Sequence, residues 1–167
     1  MEEGMILDND INSTIVHPLK KGVTLHAIVD ACHSGTILDL LCVYDLKENT
    51  WKDNSPPSGA RKCTSGGLAI CISACGDDKM AADTTAFNRN VMNGAMTYIL
   101  IETIKNNSGG ITYGVLLESM LNQIEKINGD RCLNSRILRK VFRHQVIQEP
   151  LLSSSEEFDV YAKKFIL

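Results

Sequence analysis

Two short apolar runs constrain this chain more than anything else in it: VTLHAIVDA at residues 23–31 and GLAICISAC at residues 67–75. Each is nearly continuous in apolar residues. Runs of that kind form strands covered on both faces, as in parallel-containing sheets, rather than the alternating strands of half-solvated hairpins. The segments that follow the second run have helical spacing. AMTYILIETIKNN reads as a helix that stops at Ser108, Gly109 and Gly110. TYGVLLESMLNQIEKI places Val115, Leu116, Met120, Leu121, Ile124 and Ile127 on one helix face. DRCLNSRILRKVFRHQ reads as a further basic helix, and EPLLSSS and FDVYAKKFIL as short closing strands. Near the start, LDNDINSTIVHPLKKG predicts a short helix capped by residues 8–10, then a turn at Pro18 and Gly22. ENTWKDNSPPSGARKCTSGG and GDDKMAADTTAFNRNVMNG read as long polar loops, of the length that compact domains keep for function. The order of elements predicts an α/β sheet with parallel pairs, flanked by helices, in one domain of 167 residues.

Composition narrows the function. A net charge of −3, with Lys and Arg scattered, argues against nucleic acid and against an anionic membrane surface as partners. No apolar run reaches bilayer length. The opening MEEGMILDND is too acidic for a secretory signal. The six cysteines (Cys32, Cys42, Cys63, Cys71, Cys75 and Cys132) are therefore read as reduced thiols of a cytoplasmic protein. Cys71 and Cys75 are spaced C-x₃-C, but no second Cys or His pair stands at zinc-finger spacing.

The chemistry gathers where the first run ends, in DACHSG. Side chains alternate faces along a strand, so Thr24, His26, Ile28, Asp30 and Cys32 share one side. Asp30 and Cys32 thus point the same way at the C-terminal end of a strand, where open parallel sheets bind ligands. Gly35 permits a sharp turn that presents amide N–H groups to a developing oxyanion. A lone cysteine is usually a core filler. A filler, however, does not need a flanking Asp, a flanking His and a glycine turn. A phosphatase loop is excluded because Ala31 precedes the cysteine and Leu38 stands where an Arg should close the cradle. A redox C-x-x-C is excluded by Ser34 and Gly35. What remains is a protease-type nucleophile, which needs an imidazole as its base.

DACHSGTILDL resembles the cysteine motif of metacaspases, the caspase-like cysteine proteases of plants, fungi and protists. ISACGDDKMAADTTAF, GAMTYILIETI, TYGVLLESM and EPLLSSSEEFDVYAKKFIL are similar, in order, to plant type I metacaspases. The resemblance covers nearly the whole chain and is weakest in NGDRCLNSRILRKVFRHQ. It implies a caspase-like fold and a cysteine endopeptidase associated with proteolysis and programmed cell death. Carried over by position, it makes Cys32 the nucleophile and Asp30 the carboxylate of the S1 pocket. Substrates would then be proteins or peptides with Arg or Lys at P1, and a buried carboxylate does select a cationic side chain. The same resemblance places Asp8, Asn9 and Asp39 at positions that bind activating Ca²⁺ in some members. Asn9 stands where some have a second Asp, and its amide supplies an oxygen without charge. For Asp8 the alternative is an ordinary helix cap.

The base is the missing half. In the family it is a histidine in an H-G turn on the strand preceding the cysteine strand. His17, His26, His33 and His144 lie in no such motif. His33 adjoins Cys32 and faces away along a strand, and His26 is six residues, roughly 20 Å, from it. The expectation is that the chain corresponds to the C-terminal part of a metacaspase peptidase domain, catalytically weak by itself. The alternative function is a non-catalytic module that binds or regulates full-length metacaspases. Two further expectations follow. Arg61 and Lys62, exposed in the polar loop, would be a self-processing site or merely a solvated basic loop. The strand at residues 23–31 would present an unpaired edge.

Overall fold

The computed structural model of the chain describes residues 7–31, 34–56, 59, 62–74, 83–84, 93–107, 109–129 and 149–166. Both apolar runs are strands, and they lie side by side. β1 (Thr24–Val29) pairs in parallel with β4 (Leu68–Ser73), in a register that sets Thr24 opposite Leu68 and Val29 opposite Ser73. The strand spacing then continues through β8 (Leu151–Ser154), β2 (Cys42–Asp45) and β3 (Thr50–Asp53), each antiparallel to its neighbour. The five-stranded order is β1-β4-β8-β2-β3. Two small antiparallel pairs accompany it: β5 (Asp83–Thr84) with β6 (Asn93–Gly94), and β7 (Ile111–Thr112) with β9 (Lys164–Phe165). The expected α/β sheet with parallel pairing, flanked by helices, is present.

β4 is buried at every residue, as an interior strand must be. Its alternation divides the core. Leu68, Ile70 and Ile72 face a cluster with Tyr44, Leu152 and two helices, α2 (Ala95–Asn106) and α3 (Tyr113–Gly129). Ala69 and Cys71 face a second cluster with Val16, Leu38 and Leu40, against which Leu25, Ala27 and Val29 of β1 pack. Burying each large aliphatic side chain contributes about 1.5–3 kcal/mol, so these two clusters clamp the sheet from both faces. The short helix near the start is α1 (Asp8–Ile11), which runs on as a π-helical turn at Asn12–Val16.

Four details differ from the sequence reading. β3 lies inside a stretch taken for loop. Its Trp51 packs edge-on to Tyr44 and Phe158 and donates Nε1–H to the Phe158 carbonyl at 2.8 Å, so distant residues hold it in the sheet. Asp8 is not the cap of α1. Leu7 occupies that place without a side-chain bond, and Asp8 and Asp10 sit in the first turn, where negative charge suits the helix dipole. In α3 the buried face runs through Leu116, Leu117, Met120 and Ile124, whereas Val115 is 41% exposed. The helix is turned because Gly114 lies flat against the Tyr161 ring, where an added Cβ would come within 2.6 Å of Cδ1. Last, β1 has the edge position expected of it but is not covered on both faces as its apolar run implies: it is only half buried, with Ile28 39% exposed. The basic stretch DRCLNSRILRKVFRHQ lies outside the described residues.

Candidate active site

The parallel pair delivers its C-terminal ends to one side of the sheet. Val29 and Ser73 are opposite one another, and the Ala74 N–H donates to the Val29 carbonyl at 3.0 Å. One residue beyond β1, the Asp30 carboxylate meets the start of α2, where Oδ2 accepts the Thr97 backbone N–H at 2.8 Å. The first N–H groups of a helix lack intrahelical partners, so a carboxylate there is doubly suited, by hydrogen bond and by dipole. The other oxygen, Oδ1, is buried and has no hydrogen-bond partner.

Two more polar atoms share that condition. Ser34 is 1% exposed and its Oγ has no partner. Ser73 is equally buried, and its Oγ is also without one. Buried polar atoms lacking a partner are rare in folded proteins. Here the three, found among the described residues, fall at the ends of the two parallel strands or in the turn just after. Sheets of this kind take their ligands at those ends. Sequence reasoning had named Asp30 but not Ser73, Ser34 or Thr97. A serine closing an otherwise apolar strand was the one signal for Ser73.

Cys32 and His33 lie outside the described residues, as do Cys75 and His144, so the shared face of Asp30 and Cys32 is not described. The two described histidines are committed elsewhere. His17 donates Nδ1–H to the Cys63 carbonyl at 3.1 Å. His26 Nε2 hydrogen-bonds the Tyr113 hydroxyl, and its ring lies against Tyr113 and Phe165. Burial lowers the His26 pKa, and Lys163 adds to the shift. Burial pushes the Tyr113 phenol up to about 12. Cys71, buried in the second cluster, also has its thiol pushed up to about 12 by burial, which makes it an inert filler.

The residues tied to calcium by resemblance, Asp8, Asn9 and Asp39, stand on the N-terminal helix and at the end of the turn after the cysteine. Asp39 has φ +50°, and its neighbour Leu38 offers its carbonyl to Asn12 Nδ2 at 2.8 Å, which fixes the turn against the helix. Asn9 Oδ1 and Asp39 Oδ2 converge on a single cation, and that cation is Lys62. Its Nζ lies 2.6 Å from Asp39 Oδ2 and hydrogen-bonds Asn9 Oδ1. Ca²⁺ takes six to eight oxygen ligands. No group of three His, Cys, Asp or Glu side chains gathers among the described residues. The arrangement as it stands does not fit a resident calcium ion. The expectation that Lys62 is exposed is also corrected: it is 8% exposed, because its charge is paired within the fold. Arg61 lies outside the described residues.

A family model described as metacaspase, peptidase C14 domain, matches residues 1–41, the stretch that carries Asp30 and the cysteine motif. The chain is 44% identical to metacaspase-1 of Arabidopsis thaliana, over 99% of this chain and 48% of that protein. Metacaspase-3 of the same plant is 42% identical over 99% of this chain and 45% of its own length. Metacaspase-2 is 39% identical over 98% of this chain and 46% of its own. The chain is thus similar over nearly its whole length to plant metacaspases, and its mixed sheet between helices is in keeping with the caspase-like fold of that family. These likenesses mark it as a plant type I metacaspase-like protein. It spans about half the length of the curated relatives it matches.

Proposed function

We propose that this chain carries the nucleophile and the specificity carboxylate of a cysteine endopeptidase that cleaves proteins or peptides after Arg or Lys. The observation that supports this reading is Asp30 Oδ1, a buried acceptor with no partner, two residues before the candidate nucleophile. An oxygen kept dry and unpaired is costly, by about 1–3 kcal/mol. A guanidinium or ammonium group at P1 would satisfy it with a charge-assisted bond, and an Asp at P1 would be repelled. In the reaction, Cys32 Sγ attacks the carbonyl carbon of the P1 residue. The C–N bond breaks, the amine leaves with a proton, and water then hydrolyses the thioester. The proton transfers call for an imidazole, and neither described histidine stands beside Asp30. Without a base only about a tenth or less of a free thiol is ionised near pH 7.5, given its pKa of about 8.5. That favours, as the second reading, a module that binds full-length metacaspases without cleaving. A cytoplasmic setting and a part in programmed cell death belong to the same proposal.

Affinity labelling tests it without needing turnover. The chain is treated with matched peptidyl chloromethyl ketones ending in Arg or in Asp, and Cys32 adducts are counted by mass spectrometry. Preferential adduct formation by the Arg reagent, lost in Asp30→Ala, is expected. Equal labelling by both reagents would sink the specificity assignment. No labelling by either would favour the non-catalytic reading.

A further inference from the structure

We propose that the cavity at the end of β2 is a second anchor point for the same polypeptide substrate, taking an apolar side chain about four residues from the Arg or Lys that Asp30 holds. The inference rests on the reading of Asp30 as the acceptor for that basic residue. The cavity encloses about 260 Å³ between α3 and the ends of β2 and β8. Its apolar walls are Val43, Leu46, Leu121, Pro150 and Leu151. Small-molecule sites run to about 300–1,000 Å³, so this one is short of room for a cofactor and suits one or two side chains. Its charges are already matched. Lys47 Nζ lies 2.8 Å from Glu149 Oε1, and Lys52 Nζ lies 2.6 Å from Asp45 Oδ2. A charged occupant would have to break one of those pairs to find a partner. An aliphatic side chain meets apolar walls and leaves both pairs intact.

The sheet register fixes how far this cavity lies from Asp30. β1, β4 and β2 run the same way, because β1 is parallel to β4 and β8 is antiparallel to both β4 and β2, so their C-terminal ends share one rim. Ile28, Ile72, Leu152 and Tyr44 stand opposite one another across the four strands. Two residues nearer the rim, the same row becomes Asp30, Ala74, Pro150 and Leu46. The P1 acceptor and two walls of the cavity therefore lie in one line. Three strand spacings separate Asp30 from Leu46, roughly 14 Å in all. An extended chain advances about 3.3 Å per residue, so a peptide laid along the rim covers that distance in about four residues. Burying a leucine-sized side chain there would strengthen binding about tenfold or more. A basic residue at Asp30 and an apolar one at the cavity define a narrower substrate class than Asp30 alone.

Fluorescence anisotropy with labelled peptides tests this on the whole chain carrying Cys32→Ala, so that nothing is cleaved. Each peptide holds one Arg and one variable residue, Leu, Ser or Asp, four positions before or after it, with Gly and Ser between. Binding at least about tenfold tighter for Leu than for Ser, on one side of the Arg, is expected, with Asp no tighter than Ser. The gain should vanish when Leu is moved next to the Arg. Leu121 is a partly buried wall of the cavity. The gain should therefore vanish also in Leu121→Asp, which makes that wall polar, and in Leu121→Trp, which fills the space, each checked for folding by circular dichroism. Equal affinities for the Leu and Ser peptides on both sides of the Arg would overturn the proposal. So would a Leu gain that ignores spacing or survives both Leu121 variants. Peptides with citrulline in place of Arg read the Asp30 assignment separately. A preference for Arg without a Leu gain would overturn the cavity, whereas a Leu gain without a preference for Arg would overturn the Asp30 assignment and leave the cavity as a site.

Discussion

Asp30 serves two ends, and replacing it separates them. In Asp30→Ala the Thr97 N–H loses its acceptor at 2.8 Å, and the start of α2 loses a negative charge. A lost helix cap costs about 1 kcal/mol, and the dipole adds about 0.3–1 kcal/mol. Against this, the substitution removes Oδ1, the buried oxygen without a partner. Relieving such an atom returns about 1–3 kcal/mol. The two effects are of similar size and opposite sign, so the variant should unfold within about 1 kcal/mol of the wild type. For a chain of this length that is a shift of about 2–4 °C in Tm. The assay is thermal unfolding followed by far-UV circular dichroism, with Asp30→Asn measured alongside. The amide keeps an oxygen for Thr97 but buries new N–H groups without partners, so Asn should destabilise more than Ala. A loss above about 3 kcal/mol for Ala would refute the reasoning, because it exceeds what one cap can contribute. The carboxylate would then be a structural support, and the specificity assignment would lose its basis.

Two further outcomes are expected. His26 titrates below its ordinary value in the fold, chiefly through burial and then through Lys163. The unfolded chain therefore binds the proton more tightly, and stability should fall as pH drops below about 6.5 toward the folded pKa. Urea midpoints between pH 5 and 7.5 would show this, and His26→Gln should flatten the slope; an unchanged slope in that variant would assign the dependence elsewhere. The second concerns the sheet edges. β3 ends the sheet with Lys52 paired to Asp45 and Glu48, but β1 ends it with no charged residue between Thr24 and Val29. Uncharged edges invite strand pairing between chains. Size-exclusion chromatography with light scattering should show concentration-dependent association, reduced by Ile28→Lys, and a strictly monomeric wild type would contradict it.

Local pattern made much of this protein readable from its residues. β4 announces itself because an interior strand must be apolar at every position, and α2 and α3 because a helix buries residues three and four apart. DACHSG was legible for a chemical reason, since a filler cysteine has no need of an aspartate two residues earlier and a glycine turn after it. The hairpin of β2 and β3 escaped, because four-residue strands of mixed polarity carry too little periodicity. What holds β3 is Trp51 against Phe158, more than a hundred residues away. The same limit hid the partners of Lys62. A basic residue among Pro, Gly and Ser looks solvated, and its exposure depends on whether the chain's path brings Asn9 and Asp39 within reach. The sequence by itself determined the strand-ending cysteine motif, the amphipathic helices and the α/β class, all of which follow from short-range spacing. Only the tertiary structure decided that Asp30 keeps one oxygen paired to α2 and one without a partner, and that Lys62 is paired with Asn9 and Asp39. Those outcomes depend on which distant groups meet, and no local periodicity encodes that.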